Sequence, residues 1–217
     1  MLNIHKFDLL VSIYMFCIVA TELMGGKTFP VLDLGWFKLN SSVAIFVFPL
    51  TFTINDMITE VYGKERTRSV IRSGLVVISL ILLFSLFATS LPPSIRFESS
   101  EAAYDTIFGL SARIAAASLA AFALSEFLDV MIFVKIREWF GKKALWFRNN
   151  VSNFISQFVD TFVFIFLAFY AFDKGFIDNV GFLFSLIIPY WLLKAFMSVI
   201  ETPLVYLGVR WLRKDKE

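Results

Sequence analysis

Cysteine and histidine are almost absent from this chain of 217 residues, and their scarcity excludes several kinds of chemistry. The single cysteine, Cys17, can form neither an internal disulfide nor a cysteine cluster for a metal. With His5 as the only histidine, no His–Cys metal set and no serine–histidine catalytic arrangement is available. A glycine-rich phosphate loop is also missing, because Gly141-Lys142 has no partner glycine at the required spacing. The sequence therefore predicts no metal, no cofactor and no catalytic residues.

Apolar side chains dominate what is present. Hydrophobic residues make up 58% of the chain, phenylalanine occurs 27 times and the mean hydropathy is +0.74, which is too apolar for an ordinary soluble domain. The first apolar stretch is too long, and lacks the cleavage motif, for a removable signal peptide. Six stretches can span a bilayer, which takes roughly 17–25 residues each. They cover residues 7–25, 43–61, 68–91, 110–137, 148–172 and 181–211.

The predicted fold class is therefore an all-α membrane protein with six transmembrane helices. No low-complexity linker divides the chain, which predicts a single domain over residues 1–217. The connection Phe29–Ser42 is expected to form a small hairpin over the external mouth, and Glu98–Thr106 a short polar or interfacial helix. The sixth span exceeds the membrane thickness, and Pro189 and Pro203 are its expected kink points.

Basic residues are distributed unevenly between the two sides of these spans. One side carries fourteen lysines and arginines, concentrated after the second span, between the fourth and fifth, and in the tail. The other side carries only four, and Arg113 and Lys194 lie inside spans. Because short cytoplasmic loops are enriched in basic residues, both termini are predicted to be cytoplasmic. Topology explains these basic loops better than a nucleic-acid partner does, so no nucleic acid is expected.

Polar residues follow one face of the fifth predicted span. A helix advances about 100° per residue, so six polar positions share a face while the phenylalanines point elsewhere. An unpartnered polar group in hydrocarbon is unfavourable by several kcal/mol, and this face should therefore line a cavity or another helix. It indicates a polar binding site. The six residues are Asn149, Ser152, Asn153, Ser156, Gln157 and Asp160.

Charged residues repeat at helical spacing in three further spans. The acids outnumber Lys194, and excess acid inside a membrane protein calls for cationic or hydrogen-donating ligands, protons or water. The candidate substrate-binding residues are Asp56, Glu60, Arg113, Glu126, Asp129, Asn153, Gln157, Asp160, Lys194 and Glu201.

Several of these candidates have a simpler alternative role. Glu60 could be solvated at the cytoplasmic interface, and Arg113 could extend its side chain to the external surface. Lys194 and Glu201 could form a structural ion pair. Asp56 and Asp160 are harder to explain without a function, because burying them for no purpose would be unfavourable.

Four groups of residues together form a recognisable pattern. Residues Phe48–Phe52 and Asn55–Gly63 resemble the signature FPLTF…DxxxExYG of the queuosine precursor transporter family, also grouped as vitamin uptake transporters. The other matches follow in order over about 150 residues and make the resemblance specific. They are Arg113–Ser118 with Leu128–Val130, Asn150–Phe164, and Lys194 with Thr202–Tyr206. One departure is Thr21-Glu22, where an Ala-Asn pair is expected.

The resemblance implies uptake of the 7-deazaguanine precursors of the tRNA base queuosine, chiefly the 7-cyano and 7-aminomethyl forms. A carboxylate can accept the adjacent N–H donors of a guanine-like edge, and Asn or Gln can satisfy a ring carbonyl or nitrogen. The expected partners are thus a small deazapurine substrate and the lipid bilayer, with a homodimer left open. Two alternatives remain: a substrate-capture subunit of a modular vitamin importer with a separate ATPase, and an intramembrane enzyme or assembly factor.

Overall fold

The computed structural model describes the backbone of residues 4–33, 35, 38–140, 145–200 and 202–213. Seven α-helices and one β-hairpin are found in these ranges. They are α1 (Lys6–Met24), β1 (Thr28–Asp33), β2 (Lys38–Ser42), α2 (Phe48–Tyr62), α3 (Lys64–Thr89), α4 (Glu98–Phe140), α5 (Leu145–Phe169), α6 (Phe176–Ile200) and α7 (Thr202–Arg213), with a 3₁₀ turn at Val43–Phe46 before α2.

Five helical segments of the described chain are long and apolar enough to cross a membrane. They are Lys6–Met24, Val43–Tyr62, Lys64–Thr89, Glu98–Ser125 and Phe176–Lys194, and Gln157–Phe169 is a shorter apolar segment of α5. This confirms a mostly helical protein with several membrane-spanning elements. The predicted hairpin is confirmed as well, since β1 and β2 pair in a two-stranded sheet.

One of the predicted boundaries is wrong. Residues 98–106 do not form a helix of their own, because α4 runs without interruption from Glu98 to Phe140. The two acidic residues of its first turn, Glu98 and Glu101, stabilise the positive end of the helix dipole, and no proline follows to end the helix. The predicted sixth span contains two described helical segments, α6 up to Ile200 and α7 from Thr202, and residue 201 between them lies outside the described part of the structure.

The chain divides into two compact units. The first contains Met1–Phe29, Ser42–Ala115 and Phe196–Glu217, and its core is built from apolar residues of α1, α2, α3 and α7. Gly63 connects α2 to α3 at φ 85°, a backbone conformation that side chains other than glycine rarely adopt. The core residues are Leu10, Tyr14, Ile54, Met57, Ile58, Val70, Val209 and Leu212.

One end of the first unit is held together by charged and aromatic side chains. The Lys6 ammonium donates to the Trp211 carbonyl oxygen at 2.6 Å, and the Arg213 guanidinium donates to the Glu60 carboxylate at 3.0 Å. The Phe7 ring packs edge-on against Tyr62, with 4.8 Å between ring centroids. The start of α1, the end of α2 and the end of α7 therefore lie together.

The second unit contains Pro30–Ser41 and Ala116–Ala195, that is, most of the hairpin, the second part of α4, α5 and the greater part of α6. Its buried residues include Ile165 and Ala168 on α5 and Leu183, Leu186 and Ile187 on α6. The hairpin is attached to α6 by a hydrogen bond from the Asn40 amide to the Ser185 hydroxyl at 2.8 Å.

Candidate functional site

An ion pair in the second unit joins α5 to α6. The Lys194 ammonium donates to Oδ2 of Asp160 at 2.5 Å. The Lys194 side chain is 8% exposed and that of Asp160 is 28% exposed, so the lysine is enclosed while the carboxylate is partly open. Two candidates chosen from separate spans are thus direct partners. The alternative pairing of Lys194 with Glu201 stays a prediction, because Glu201 lies outside the described part of the structure.

Positions next to this pair on both helices are buried or make aromatic contacts. Thr161, next to Asp160, is buried and donates from its hydroxyl to the Gln157 carbonyl oxygen at 2.8 Å. One turn before Lys194, the Trp191 ring packs edge-on against Phe158 at 5.5 Å between centroids. An ion pair surrounded by apolar groups is screened less by water than one on a soluble surface, so it interacts strongly with any polar ligand that reaches it.

Of the six residues on the face of α5 that was predicted to be polar, Gln157 and Asp160 have side chains within the described part of the structure. Phe158, Phe162 and Phe166 stack at intervals of four residues, about half a helical turn away from Asp160, which agrees with the predicted separation of polar and aromatic residues. The Gln157 side chain is exposed. The Asn153 side chain lies outside the described part of the structure.

The candidates on α2 lie in the first unit and differ in their surroundings. Thr53 is buried and donates to the Pro49 carbonyl oxygen at 3.4 Å, whereas Asp56 on the same face is exposed. Glu60 is exposed as well and pairs with Arg213, both side chains being about three-fifths exposed. The structure thus supports the alternative for Glu60, a solvated residue at the end of its helix.

The remaining candidates lie on α4 and beyond α6. Arg113 is half-buried. The side chains of Glu126 and Asp129, and the whole of Glu201, lie outside the described part of the structure. Within that part, no group of three or more His, Cys, Asp or Glu side chains is close enough together to hold a metal ion.

Two polar features of the first unit were missed by the sequence reasoning. The Asn55 side chain hydrogen-bonds Tyr14, linking α2 to α1. Glu22, near the end of α1, is only 4% exposed although it is acidic. The sequence did contain a signal for Glu22, since a carboxylate near the end of an apolar run is unusual. Thr21-Glu22 was interpreted only as a departure from the family pattern.

Comparison with known proteins places the chain in a family. Residues 42–208 match the family model described as "Putative vitamin uptake transporter". A "Probable queuosine precursor transporter" of Bacillus subtilis is 30% identical over 181 residues, which is 83% of this chain and 76% of that protein. No solved structure matches.

Two further relatives carry similar names. A "Probable queuosine precursor transporter" of Haemophilus influenzae is 32% identical over 62% of this chain, and the "Queuosine precursor transporter" of Escherichia coli is 30% identical over 60%. The aligned regions make up 54% and 56% of these two proteins. With several apolar helices and relatives of this kind, the chain is a multi-pass protein of the inner membrane. Since the family model covers most of its length, the chain belongs to the vitamin uptake transporter family.

Proposed function

We propose that this protein takes up queuosine precursors, 7-cyano-7-deazaguanine and 7-aminomethyl-7-deazaguanine, across the cytoplasmic membrane. The observation that carries the proposal is the ion pair of Asp160 and Lys194 between two helices of a transporter-family chain. Charged groups inside membrane proteins are rare and mark substrate or ion pathways. The names of the three relatives favour a 7-deazaguanine as the substrate.

The proposed topology has six membrane crossings in one domain, with both termini in the cytoplasm. Two observations support it. The basic residues are concentrated on one side of the predicted spans. The contact of Lys6 with Trp211 also brings the start of α1 to the end of α7, which requires an even number of crossings between them. In the described part of the chain five segments are long and apolar enough to cross, and we assign the sixth crossing to α5, which contains the shorter apolar segment Gln157–Phe169.

The proposed substrate site is polar and acidic, and Asp160 with Lys194 forms its best-defined part. Gln157, Asn153, Glu126 and Asp129 of the second unit remain proposed members, as the sequence predicts. Asp56, Arg113 and Glu201 belong to the first unit and remain proposed substrate-binding residues of that unit. Glu60 is the weakest of the candidates, because its carboxylate is already paired with Arg213 at an exposed position.

Uptake by the purified protein alone tests the proposal. The full chain, reconstituted in liposomes without any ATPase, is expected to accumulate radiolabelled 7-cyano-7-deazaguanine, and an excess of unlabelled precursor should compete with it. Liposomes without protein are the control. Binding of the precursor without uptake would instead identify a capture subunit. Recovery of a chemically altered precursor would identify an enzyme, and absence of both binding and uptake would reject the proposal.

A further inference from the structure

The ion pair between α5 and α6 leaves part of its hydrogen-bonding capacity for a ligand. A carboxylate offers about four lone-pair positions on two oxygens, and the contact with Lys194 involves Oδ2 of Asp160. The Asp160 side chain is also the more open of the two, 28% exposed against 8% for Lys194. A ligand therefore meets the carboxylate first, with an enclosed ammonium beside it.

The arrangement of acceptors and donors in this pair matches one particular heterocycle edge. The pyrimidine ring of a guanine-like base presents a carbonyl oxygen, a ring N–H and an exocyclic amine side by side, which is the order acceptor, donor, donor. An ammonium followed by two carboxylate oxygens presents the complementary order, donor, acceptor, acceptor. Bidentate contacts between a carboxylate and adjacent N–H groups are among the stronger hydrogen bonds in proteins.

We propose that Asp160 and Lys194 act as one recognition unit, in which the Asp160 carboxylate accepts from the ring N–H and exocyclic amine of a guanine-like base while the Lys194 ammonium donates to its carbonyl oxygen. This inference rests on the proposed function and assigns to these two residues the selection of guanine-type over other purine-type edges. An edge with a carbonyl in place of the exocyclic amine would direct an acceptor at the carboxylate and be rejected. An adenine-type edge would place a donor opposite the Lys194 ammonium and an acceptor opposite the Asp160 carboxylate, so neither residue could bind it.

The charge balance of the pair supports this role. The base edge is neutral, and a lone carboxylate at this position would be an unpaired charge in a low-dielectric region when no ligand is bound. Lys194 neutralises Asp160 within the protein. The site can therefore hold a neutral base, and can be empty, without an uncompensated charge between α5 and α6. An acid acting alone would instead favour cationic ligands over neutral ones.

The test compares two ligands that differ in a single group. Dissociation constants are measured on the purified full-length protein for 7-cyano-7-deazaguanine and for its analogue lacking the exocyclic amine. The proteins are the wild type, Asp160→Asn and Lys194→Met. Glu65→Gln serves as a matched control, because it removes the carboxylate of an ion pair with Arg68 at an exposed position of α3. The wild type and the Glu65→Gln variant should both prefer the guanine-type ligand by about tenfold or more.

The two site variants should change this preference differently. Asp160→Asn should weaken the guanine-type ligand by about 10- to 100-fold and the analogue much less, so that the preference is largely lost. Lys194→Met should weaken both ligands to a similar degree, because both retain the carbonyl group. If Asp160→Asn does not fold, the double variant Asp160→Asn/Lys194→Met, which removes both charges together, should lose the preference in the same way.

The outcomes separate this inference from the proposed function. If the wild type binds the guanine-type ligand but Asp160→Asn, or the double variant, weakens both ligands equally or not at all, the pair does not read the amine edge and the inference is overturned while the function stands. If the wild type binds neither ligand, the proposed function fails and this inference fails with it.

Discussion

The side chain of Asn179 forms hydrogen bonds with the backbone of the segment that connects α5 to α6. It is 2% exposed, its amide donates to the carbonyl oxygens of Ala171, Lys174 and Gly175, and its own oxygen accepts from the Ala171 N–H at 2.8 Å. This one residue satisfies several backbone groups that the ends of two helices leave without helical partners. Because α5 and α6 carry Asp160 and Lys194, the connection also limits how the ion pair is positioned.

Replacing this residue should therefore destabilise the protein. We expect Asn179→Ala to lower the free energy of unfolding by about 1–3 kcal/mol, because buried backbone groups lose their partners. The measurement is the thermal unfolding midpoint of the purified protein in detergent. Ile177→Ala is the control, since that neighbouring side chain is 83% exposed and its loss should leave the midpoint nearly unchanged. If the two variants unfold at the same midpoint, the Asn179 side chain stabilises the protein no more than the exposed Ile177 side chain does.

Gln157 provides a second prediction at the level of single residues. Its exposed amide lies one turn before Asp160 on α5, and we expect it to hydrogen-bond the base. Gln157→Leu should abolish detectable precursor binding, while the protein still inserts in the membrane and folds, because the change removes a polar group from an apolar region. Binding is measured on the purified variant. Ile155→Leu, an apolar exchange at another exposed position of the same helix, is the control. Normal binding by Gln157→Leu would limit that side chain to a packing role.

At the scale of the helices, α2 and α7 pack tightly against each other. Gly208 of α7 lies against Met57 of α2 so tightly that an added Cβ would overlap the methionine thioether, reaching Sδ at 2.5 Å. Small residues at such crossings let helix backbones approach within a membrane. The last helix of the chain is thereby held on the core of the first unit, where Val209 and Leu212 are buried.

A larger side chain at this crossing should separate the two helices. We expect Gly208→Val to destabilise the protein by roughly 1–3 kcal/mol through overpacking, measured again as the thermal unfolding midpoint in detergent. Combining it with Met57→Ala, which makes room for the valine, should recover part of that loss. The prediction fails if the double variant is as unstable as the sum of the two single changes, because steric conflict would then not be the cause.

At the scale of the whole molecule, the orientation in the membrane can be tested directly. We expect cysteines introduced at Lys64 and Lys143 to resist an impermeant thiol reagent in intact cells, because both positions belong to sequence segments rich in basic residues. The native Cys17 is replaced by alanine to remove background labelling. A cysteine at Lys174, on the opposite side in the proposed topology, should react. Labelling of Lys64→Cys and Lys143→Cys from outside would reverse the orientation.

Apolar length predicts the first three spans well, and α1, α2 and α3 agree closely with them, because a run of about twenty apolar residues has few other stable environments. The start of α4 was predicted incorrectly, because the polar residues 98–106 were expected to form a short helix separate from the apolar fourth span. Helical hydrogen bonding does not depend on polarity, and residues 98–106 contain no proline to stop it.

The partners within the site were harder to predict than the helices. Helical periodicity correctly indicated which side chains share a face of one helix, but it carries no information about which other helix that face contacts. It suggested Glu201, on the same span, as a partner for Lys194, but it gave no indication of the contact with Asp160 on α5. Ion pairs between helices depend on the tertiary arrangement of those helices, which the periodicity within a single span does not describe.

The contact between Lys6 and Trp211 also means that the polypeptide almost closes on itself. A linker of roughly ten residues would join these two positions easily, since an extended chain covers about 3.3–3.6 Å per residue. New ends could then be opened elsewhere, for example in the connection between α3 and α4, and the same helices would be reached in a different order along the chain. Nearby chain ends are the geometric condition that circular permutation requires, and this contact supplies it.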